Sequence, residues 1–487
     1  VHGTATPPEV CEHGAVTTRL TPLDASFLYL ERPNAVMHVG AVLVFDGDQA
    51  APSHEALLQR VSGRIAQYPR YRQRVRAVPG GVANPVWVTD EAFDVTYHVR
   101  RSALPRPGTR EQLDEFVARV LARPLDRARP LWELYLVEGL EGGGFALVTK
   151  THQALVDGVE AVDIAEVVLD DEPVEQEPPA APWAPSREPS DVELVVGALV
   201  GAVRRPSRLL DVARSGAVEL KDAGERVTAG VGQVVSALAS TSRSTNRSPL
   251  NGHTGSARRF VTVDTDLEDY RVVRSGADRG DVGLQPSVND VILAVIAGAL
   301  RAWLESRGEH VTRSTSVRVL VPVSVHDGTD GGTDDGSGDR LTACFIDLPV
   351  GEPTPLVRLH QIAYAMWRQV DRGRALGAAT LAGLAGFASP TLHSLGSRLG
   401  AAASRSLFNL VVTNVPGPQT PRFLGVATMT DTYPVMPVAE GQALAIGVTS
   451  YDGQVHYGIN ADRDLVPDLD VLAAAITESL GELLDHA

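Results

Sequence analysis

The sequence predicts a mixed α/β (α+β) protein of two domains, each a mixed β-sheet with flanking helices, and three observations carry that expectation. First, strand-like apolar runs alternate with longer runs of helical period in both halves of the chain. Second, residues 170–190 shift to Asp, Glu, Pro and Ala, as in Asp170-Asp171-Glu172-Pro173, Glu177-Pro178-Pro179 and Pro182-Trp183-Ala184-Pro185, which is the composition of a linker. Third, 487 residues with 44% hydrophobic and 21% charged content suffice for two or three ordinary globular domains with a large core.

Taken in order, 39–45 and 134–138 read as strands, and 53–66 and 111–122 as helices. Residues 191–240 have helical character and end in the Ser/Thr/Asn-rich stretch 240–256, which reads as a helical crossover. A second α/β unit follows: a strand at 259–263, a helix over 288–306, a strand at 317–325 and a polar, Gly-rich loop at 327–339. Further strands are expected at 343–348, 410–413, 443–450 and 454–460, with an amphipathic helix over 467–484. The expected division is therefore an N-terminal domain at 15–185, a crossover at 186–256 and a C-terminal domain at 257–487.

A formal net charge of −16 argues against a nucleic-acid partner, because phosphate binding needs clustered Lys and Arg to displace counterions. The only cysteines, Cys11 and Cys344, match no disulfide framework and no metal-ligand spacing, so no metal is expected. The first eight residues lack the basic and apolar regions of a secretory signal, and a cytoplasmic location is the simplest expectation. The longest apolar run found, 194–203, is about half the ~18–20 residues needed to span a bilayer. Residues 376–407 are rich in Ala, Leu and Gly, with bases at Arg374, Arg398 and Arg405. They read either as a packed helical pair broken at Pro390 or as a surface that meets lipid.

The segment with chemistry is His152-Gln153-Ala154-Leu155-Val156-Asp157-Gly158. The residues before it, 144–152, read as a strand entering a turn, and Asp157-Gly158-Val159-Glu160 reads as the start of a helix running to about Leu169. On the residues alone, two readings stand. Asp157 is an N-cap with Glu160 completing a capping box and His152 a satisfied half-buried histidine, or the junction is a reaction site.

The spacing at this junction resembles the wax ester synthase/diacylglycerol acyltransferase family, whose motif His-His-x-x-x-Asp-Gly corresponds to His152, Gln153, Asp157 and Gly158. Further blocks in family order are Pro22-Leu23-Asp24-Ala25-Ser26-Phe27-Leu28, Pro130-Leu131-Trp132-Glu133, Val288-Asn289-Asp290, Asn414-Val415-Pro416-Gly417-Pro418 and Ser450-Tyr451-Asp452-Gly453. The resemblance covers nearly the whole chain from Thr21. It implies the fold of the CoA-dependent acyltransferases, with a tunnel between two domains. The implied reaction moves a long-chain acyl group from acyl-CoA to the hydroxyl of diacylglycerol or a fatty alcohol. No cofactor beyond acyl-CoA as co-substrate is implied, and contact with the inner face of the cell membrane or a lipid droplet is expected.

The family's general base is the second histidine of the motif, and this sequence has Gln153 there. A carboxamide can hold a hydroxyl but cannot accept its proton near neutral pH, so a loss of roughly 10²–10⁴-fold in rate is expected. Were the strand to continue through the motif, His152 would point away from position 153 and could not substitute. The resemblance gives His152 and Asp157 structural roles, and Gly158 would permit close backbone approach. Asn289 reads as a helix cap or, by resemblance, as a tunnel-facing support of the site. Trp132 reads as a packed strand start or a substrate contact. At Gly338-Asp339-Arg340 the family usually has Asn in place of Asp339. Two functional classes follow: an acyltransferase whose base has been replaced, or a non-catalytic acyl-CoA or lipid binding protein that retains the tunnel.

Overall fold

The computed structural model describes residues 18–47, 49–81, 83–156, 163–174, 183, 185, 187–203, 248–277, 285–325, 340–371, 376–377 and 408–487. The strands are β1 (Thr18–Arg19), β2 (His38–Phe45), β3 (Gln73–Arg76), β4 (Val86–Thr89), β5 (Val99–Ala103), β6 (Trp132–Glu138), β7 (Phe145–His152) and β8 (Arg258–Asp266). They continue as β9 (Val317–Val325), β10 (Arg340–Leu348), β11 (Leu376–Gly377), β12 (Leu410–Pro416), β13 (Phe423–Leu424), β14 (Ala427–Val435), β15 (Leu444–Tyr451) and β16 (Gln454–Asp462). A six-stranded sheet has the order β13-β14-β2-β7-β6-β5, a seven-stranded sheet β11-β10-β9-β12-β15-β16-β8, and a small three-stranded sheet β1-β4-β3. The predicted mixed α/β architecture of two sheet-rich halves is therefore present. Among the described residues, parallel pairing is confined to β5–β6, β12–β15 and β12–β9.

The six-stranded sheet has a core on each face, following from side-chain alternation along its strands. Leu43, Phe45, Leu134, Leu136, Phe145 and Leu147 pack beneath the helices Pro22–Leu30 and His54–Arg64. Val42, Val137, Ala146 and Val148 face the helix Arg110–Leu121 together with Phe260, Tyr433 and Val435 from the other half. β7 is buried along its whole length, as expected of a central strand covered on both sides. In the C-terminal half, the helices Val288–Ser306, Pro355–Asp371 and Leu469–His486 cover the seven-stranded sheet through a single large apolar cluster.

Several expectations are corrected. The strands β13 and β14 follow β12 in sequence, yet β14 pairs with β2, from Val435 opposite Gly40 to Met429 opposite Phe45. A hairpin from the C-terminal half thus completes the N-terminal sheet, and the sequential division at 257 does not follow the sheets. The helix Ile164–Val168 is capped by Asp163, whose side chain accepts the Ala165 N–H, while the expected cap Asp157 and its partner Glu160 lie outside the described residues. The helix Val288–Ser306 is capped by Ser287 in a capping box with Asp290, and Asn289 is not its cap. The start of the acidic, Pro-rich linker is anchored: Asp170 accepts from Arg60 and Arg64, each at 2.6 Å. Near its end, Glu188 accepts from Arg74 and Arg76, each at 2.6 Å. Of the predicted crossover helix, Asp191–Val203 is helical; 204–247, the loop 327–339 and all but two residues of 376–407 lie outside the described residues. Among the described residues, no helix is long and apolar enough to cross a membrane.

Candidate active site

The motif begins where β7 ends. His152 is the last residue of the strand, and Gln153–Val156 form one helical turn. The backbone here is held from two sides: His152 N–H donates to Leu131 O at 3.0 Å and Gln153 N–H to Met37 O at 2.9 Å. Ala154 and Leu155 are buried in the N-terminal core, while Gln153 is half-buried. Asp157 and Gly158 lie outside the described residues.

Because the strand stops at His152, the strict alternation assumed for positions 152 and 153 does not apply. The orientation of His152 follows from its partners instead. Its Nδ1 accepts the Ala154 N–H at 3.0 Å, so the ring proton of the neutral form sits on Nε2. Nε2 stands 3.8 Å from Glu31 Oε2, longer than a direct hydrogen bond but within electrostatic reach. The His152 side chain is 1% exposed and that of Glu31 8%.

Glu31 gathers three more groups. Arg127 donates to its Oε2 through Nη2 at 2.6 Å and Nε at 3.1 Å, and Met37 N–H reaches Oε1 at 3.4 Å. His38 Nε2 lies 3.2 Å from Oε1. His38 and His152 are cross-strand partners of β2 and β7, with ring centroids 5.8 Å apart in an edge-on arrangement. Burial alone would raise the Glu31 carboxyl, but contacts from His152, His38 and Arg127 outweigh it and hold the group well below the usual carboxylate range. Burial pulls His38 down to about 4, against the opposing influence of Glu31, and keeps it neutral at physiological pH. Two residues before His152 on the same strand face, the buried Lys150 pairs with Glu133 at 3.4 Å.

Trp132 opens β6, opposite Thr151 of β7. It is fully buried; its indole N–H donates to Tyr71 O at 2.8 Å, and its ring stacks on His98 at 4.6 Å. This is the packed strand start, and the geometry favours it over a substrate contact. Asn289 is half-buried, and its Oδ1 accepts from Asn414 Nδ2 at 3.2 Å. That bond ties the first turn of helix Val288–Ser306 to β12, so two of the sequence blocks meet within the C-terminal half.

Sequence reasoning did not find Glu31, His38 or Arg127. One signal was available: His38 opens a strand that is otherwise continuously apolar, where an isolated histidine is unusual. Also missed was a polar group between the halves, where Asp264 accepts from the Tyr433 hydroxyl at 2.6 Å and His456 Nδ1 at 2.7 Å. Asp264, Asp431 and His456 are the group of potential metal-ligating side chains found among the described residues. The Arg110 guanidinium, 3.8 Å from Asp264, already supplies a positive charge there, so the group reads as an ion-paired seam between the halves.

Two sheets, the N-terminal one completed by a hairpin from the C-terminal half, with the motif beginning at the end of a central strand, define a protein of the CoA-dependent acyltransferase fold. The first condensation domain of the CDA synthetase shares this fold, at a TM-score of 0.55 and 16% identity over 97% of each chain. Residues 20–292 match the wax ester synthase/diacylglycerol acyltransferase catalytic domain, and residues 337–484 the WS/DGAT C-terminal domain. The chain belongs to the wax ester synthase/diacylglycerol acyltransferase family. It is 32% identical to a "probable" diacylglycerol O-acyltransferase of Mycobacterium tuberculosis over 95% of this chain and 98% of the relative. A second such protein from that organism is 45% identical over 54% of this chain and 97% of its own length. The solved wax ester synthase/diacylglycerol acyltransferase from Marinobacter aquaeolei VT8 aligns with a TM-score of 0.65 and 27% identity, covering 96% of this chain and 98% of that one.

Proposed function

We propose that the protein is an O-acyltransferase acting at the turn after β7, moving a long-chain acyl group from acyl-CoA to diacylglycerol or a fatty alcohol. The observation that carries this reading is family membership along almost the entire chain, combined with a motif turn whose backbone is pinned on both sides at position 153. In the reaction, the acceptor oxygen attacks the thioester carbonyl carbon, the C–S bond breaks and the CoA thiolate takes up a proton. The products are triacylglycerol or a wax ester. Acyl-CoA is a co-substrate, and no further cofactor is required. The acceptor is itself a lipid, which places the reaction at the inner face of the cell membrane or at a lipid droplet.

The hydroxyl must lose its proton as it attacks, and the residue at position 153 is where a base would take it. Gln153 can hold the hydroxyl by hydrogen bonding but has no basicity to offer. His152 Nδ1 is taken up by the Ala154 N–H, and its Nε2 faces the buried Glu31 carboxylate 3.8 Å away, so it does not substitute. The chain therefore binds both substrates and turns over slowly, by roughly 10²–10⁴-fold. The deciding experiment is acyl transfer to diacylglycerol and hexadecanol by this chain and by Gln153→His. A large gain in the variant supports the reading. Two inert proteins that both bind acyl-CoA would instead support a non-catalytic acyl-CoA binding protein, and full activity with Gln153 would refute the assignment of the base position.

A further inference from the structure

We propose that Glu31 is a positioning residue for the acyl-transfer turn, holding His152 in one tautomer so that its Nδ1 caps Ala154 and fixes the backbone that presents position 153. The inference rests on the reading of position 153 as the reaction site.

The turn 153–156 is a single helical turn, and its N-terminal N–H groups have no intrahelical partners of their own. Two are satisfied from outside: Gln153 N–H by Met37 O, and Ala154 N–H by His152 Nδ1. The second bond exists only while Nδ1 carries no proton. A neutral imidazole exchanges readily between its two tautomers, so something must favour the proton on Nε2. Glu31 meets that requirement, because its carboxylate is negatively charged, buried and 3.8 Å from Nε2. Moving the proton to Nδ1 would aim a lone pair at a carboxylate and a proton at the Ala154 N–H, two repulsions in a region where water cannot screen them.

The carboxylate is in turn held in place. Glu31 follows the helix Pro22–Leu30 as its C-cap, and Arg127 clamps one oxygen while Met37 and His38 border the other. Met37 is also the residue whose carbonyl receives Gln153 N–H, so Glu31 touches both supports of the turn: one through Met37 N–H and one through His152. A displacement of about 1 Å at a reacting group can cost up to about 10²-fold in rate, which sets the scale for disturbing this arrangement.

The test compares Glu31→Gln with the parent in two backgrounds, the chain as it stands and Gln153→His. With ¹⁵N-histidine labelling and assignment by His152→Asn, the parent is expected to show His152 with an unprotonated Nδ1, and Glu31→Gln a mixture of tautomers. In the Gln153→His background, kcat is expected to fall about 10–100-fold while KM for acyl-CoA changes little. The loss is expected to vanish when Glu31→Gln is combined with His152→Asn, which keeps an acceptor for Ala154. An unchanged His152 tautomer in Glu31→Gln overturns the inference, as does a loss that persists fully in the double variant. If Glu31→Gln does not fold, Glu31→Asp retains the charge beside Arg127 and His38 but withdraws it from His152. It is expected to give the same mixing, and an unmixed spectrum overturns the inference. If Gln153→His gains no activity, the functional reading fails while the tautomer measurement still decides the role of Glu31.

Discussion

Arg110 Nη2 donates to the Tyr433 hydroxyl at 2.7 Å, with its guanidinium carbon 4.5 Å from the centre of the same ring. Arg110 opens a helix of the N-terminal half, and Tyr433 sits on the hairpin strand that crosses from the C-terminal half. The hydroxyl in turn donates a hydrogen bond to Asp264 of β8 at 2.6 Å, and Asp264 also accepts from His456 of β16. One phenol thus links the helix Arg110–Leu121, the crossing strand and the edge of the seven-stranded sheet. Tyr433→Phe keeps the ring and the cation–π contact but removes both hydrogen bonds. The expected outcome is a loss of roughly 1–3 kcal/mol in denaturant unfolding. A midpoint equal to that of the parent would show that the two hydrogen bonds of the phenol contribute no net stability.

The location of this seam marks where sequence reading stopped. The strands at 317–325 and 454–460 and the helix at 288–306 are legible because each has one dominant period in a local window. β14 was not legible: Pro434 argues against a strand interior, the register shifts between Met429 and Asp431, and its partner β2 lies nearly 400 residues earlier, which no local pattern encodes. The motif turn was legible as a junction, and its support was not. Glu31, His38 and Arg127 come from a helix end, a strand start and a loop, and only the register of β2 against β7 brings them to His152. Ordered short blocks pointed to the family, whereas the contacts that make a site depend on folding.

Two glycines provide a packing test. A Cβ at Gly298, in the helix Val288–Ser306, would overlap Ser479 Oγ and the Arg358 guanidinium, both of them buried. Neither neighbour can swing into solvent, so Gly298→Ala is expected to destabilise by about 1–3 kcal/mol. Gly197, in the helix Asp191–Val203, has open space around the same position. Gly197→Ala is therefore expected to be neutral or to stabilise by up to about 1 kcal/mol, from helix propensity alone. Thermal unfolding of the two variants separates them, and equal shifts would contradict the close helix approach at Gly298.

Trp132→Phe separates packing from ligand contact at that position. The variant leaves Tyr71 O without the indole donor and opens a small void beside His98. A stability loss of about 2–3 kcal/mol is expected, with KM for acyl-CoA unchanged in the Gln153→His background. A rise in KM without loss of stability would return Trp132 to the substrate.

Asp114 makes the stability of the domain contact depend on pH. It lies on the helix Arg110–Leu121, and its Oδ2 accepts from Thr262 of β8 at 3.4 Å. Its Oδ1 is buried without a hydrogen-bond partner among the described residues. Burial pushes its carboxyl up to about 7, more than Arg110 and Thr262 pull it down. In the folded protein the group therefore holds a proton over a range where the unfolded chain, with a value of 3.8, has released it. Its contribution is fully present below the unfolded value and is lost as pH rises through about 7. His38 and His98, both pulled down to about 4 by burial, act in the opposite sense: the folded chain resists protonation between about 4 and 6.5, so their contribution is lost as pH falls. Asp114→Asn removes only the first dependence. Relative to the parent, the variant is expected to gain stability between about pH 5 and about pH 8, by roughly 2–4 kcal/mol across that interval. Urea unfolding at both pH values gives the difference directly. A gap between parent and variant that stays constant with pH would mean that Asp114 is ionised in the folded protein, with its charge met by Arg110.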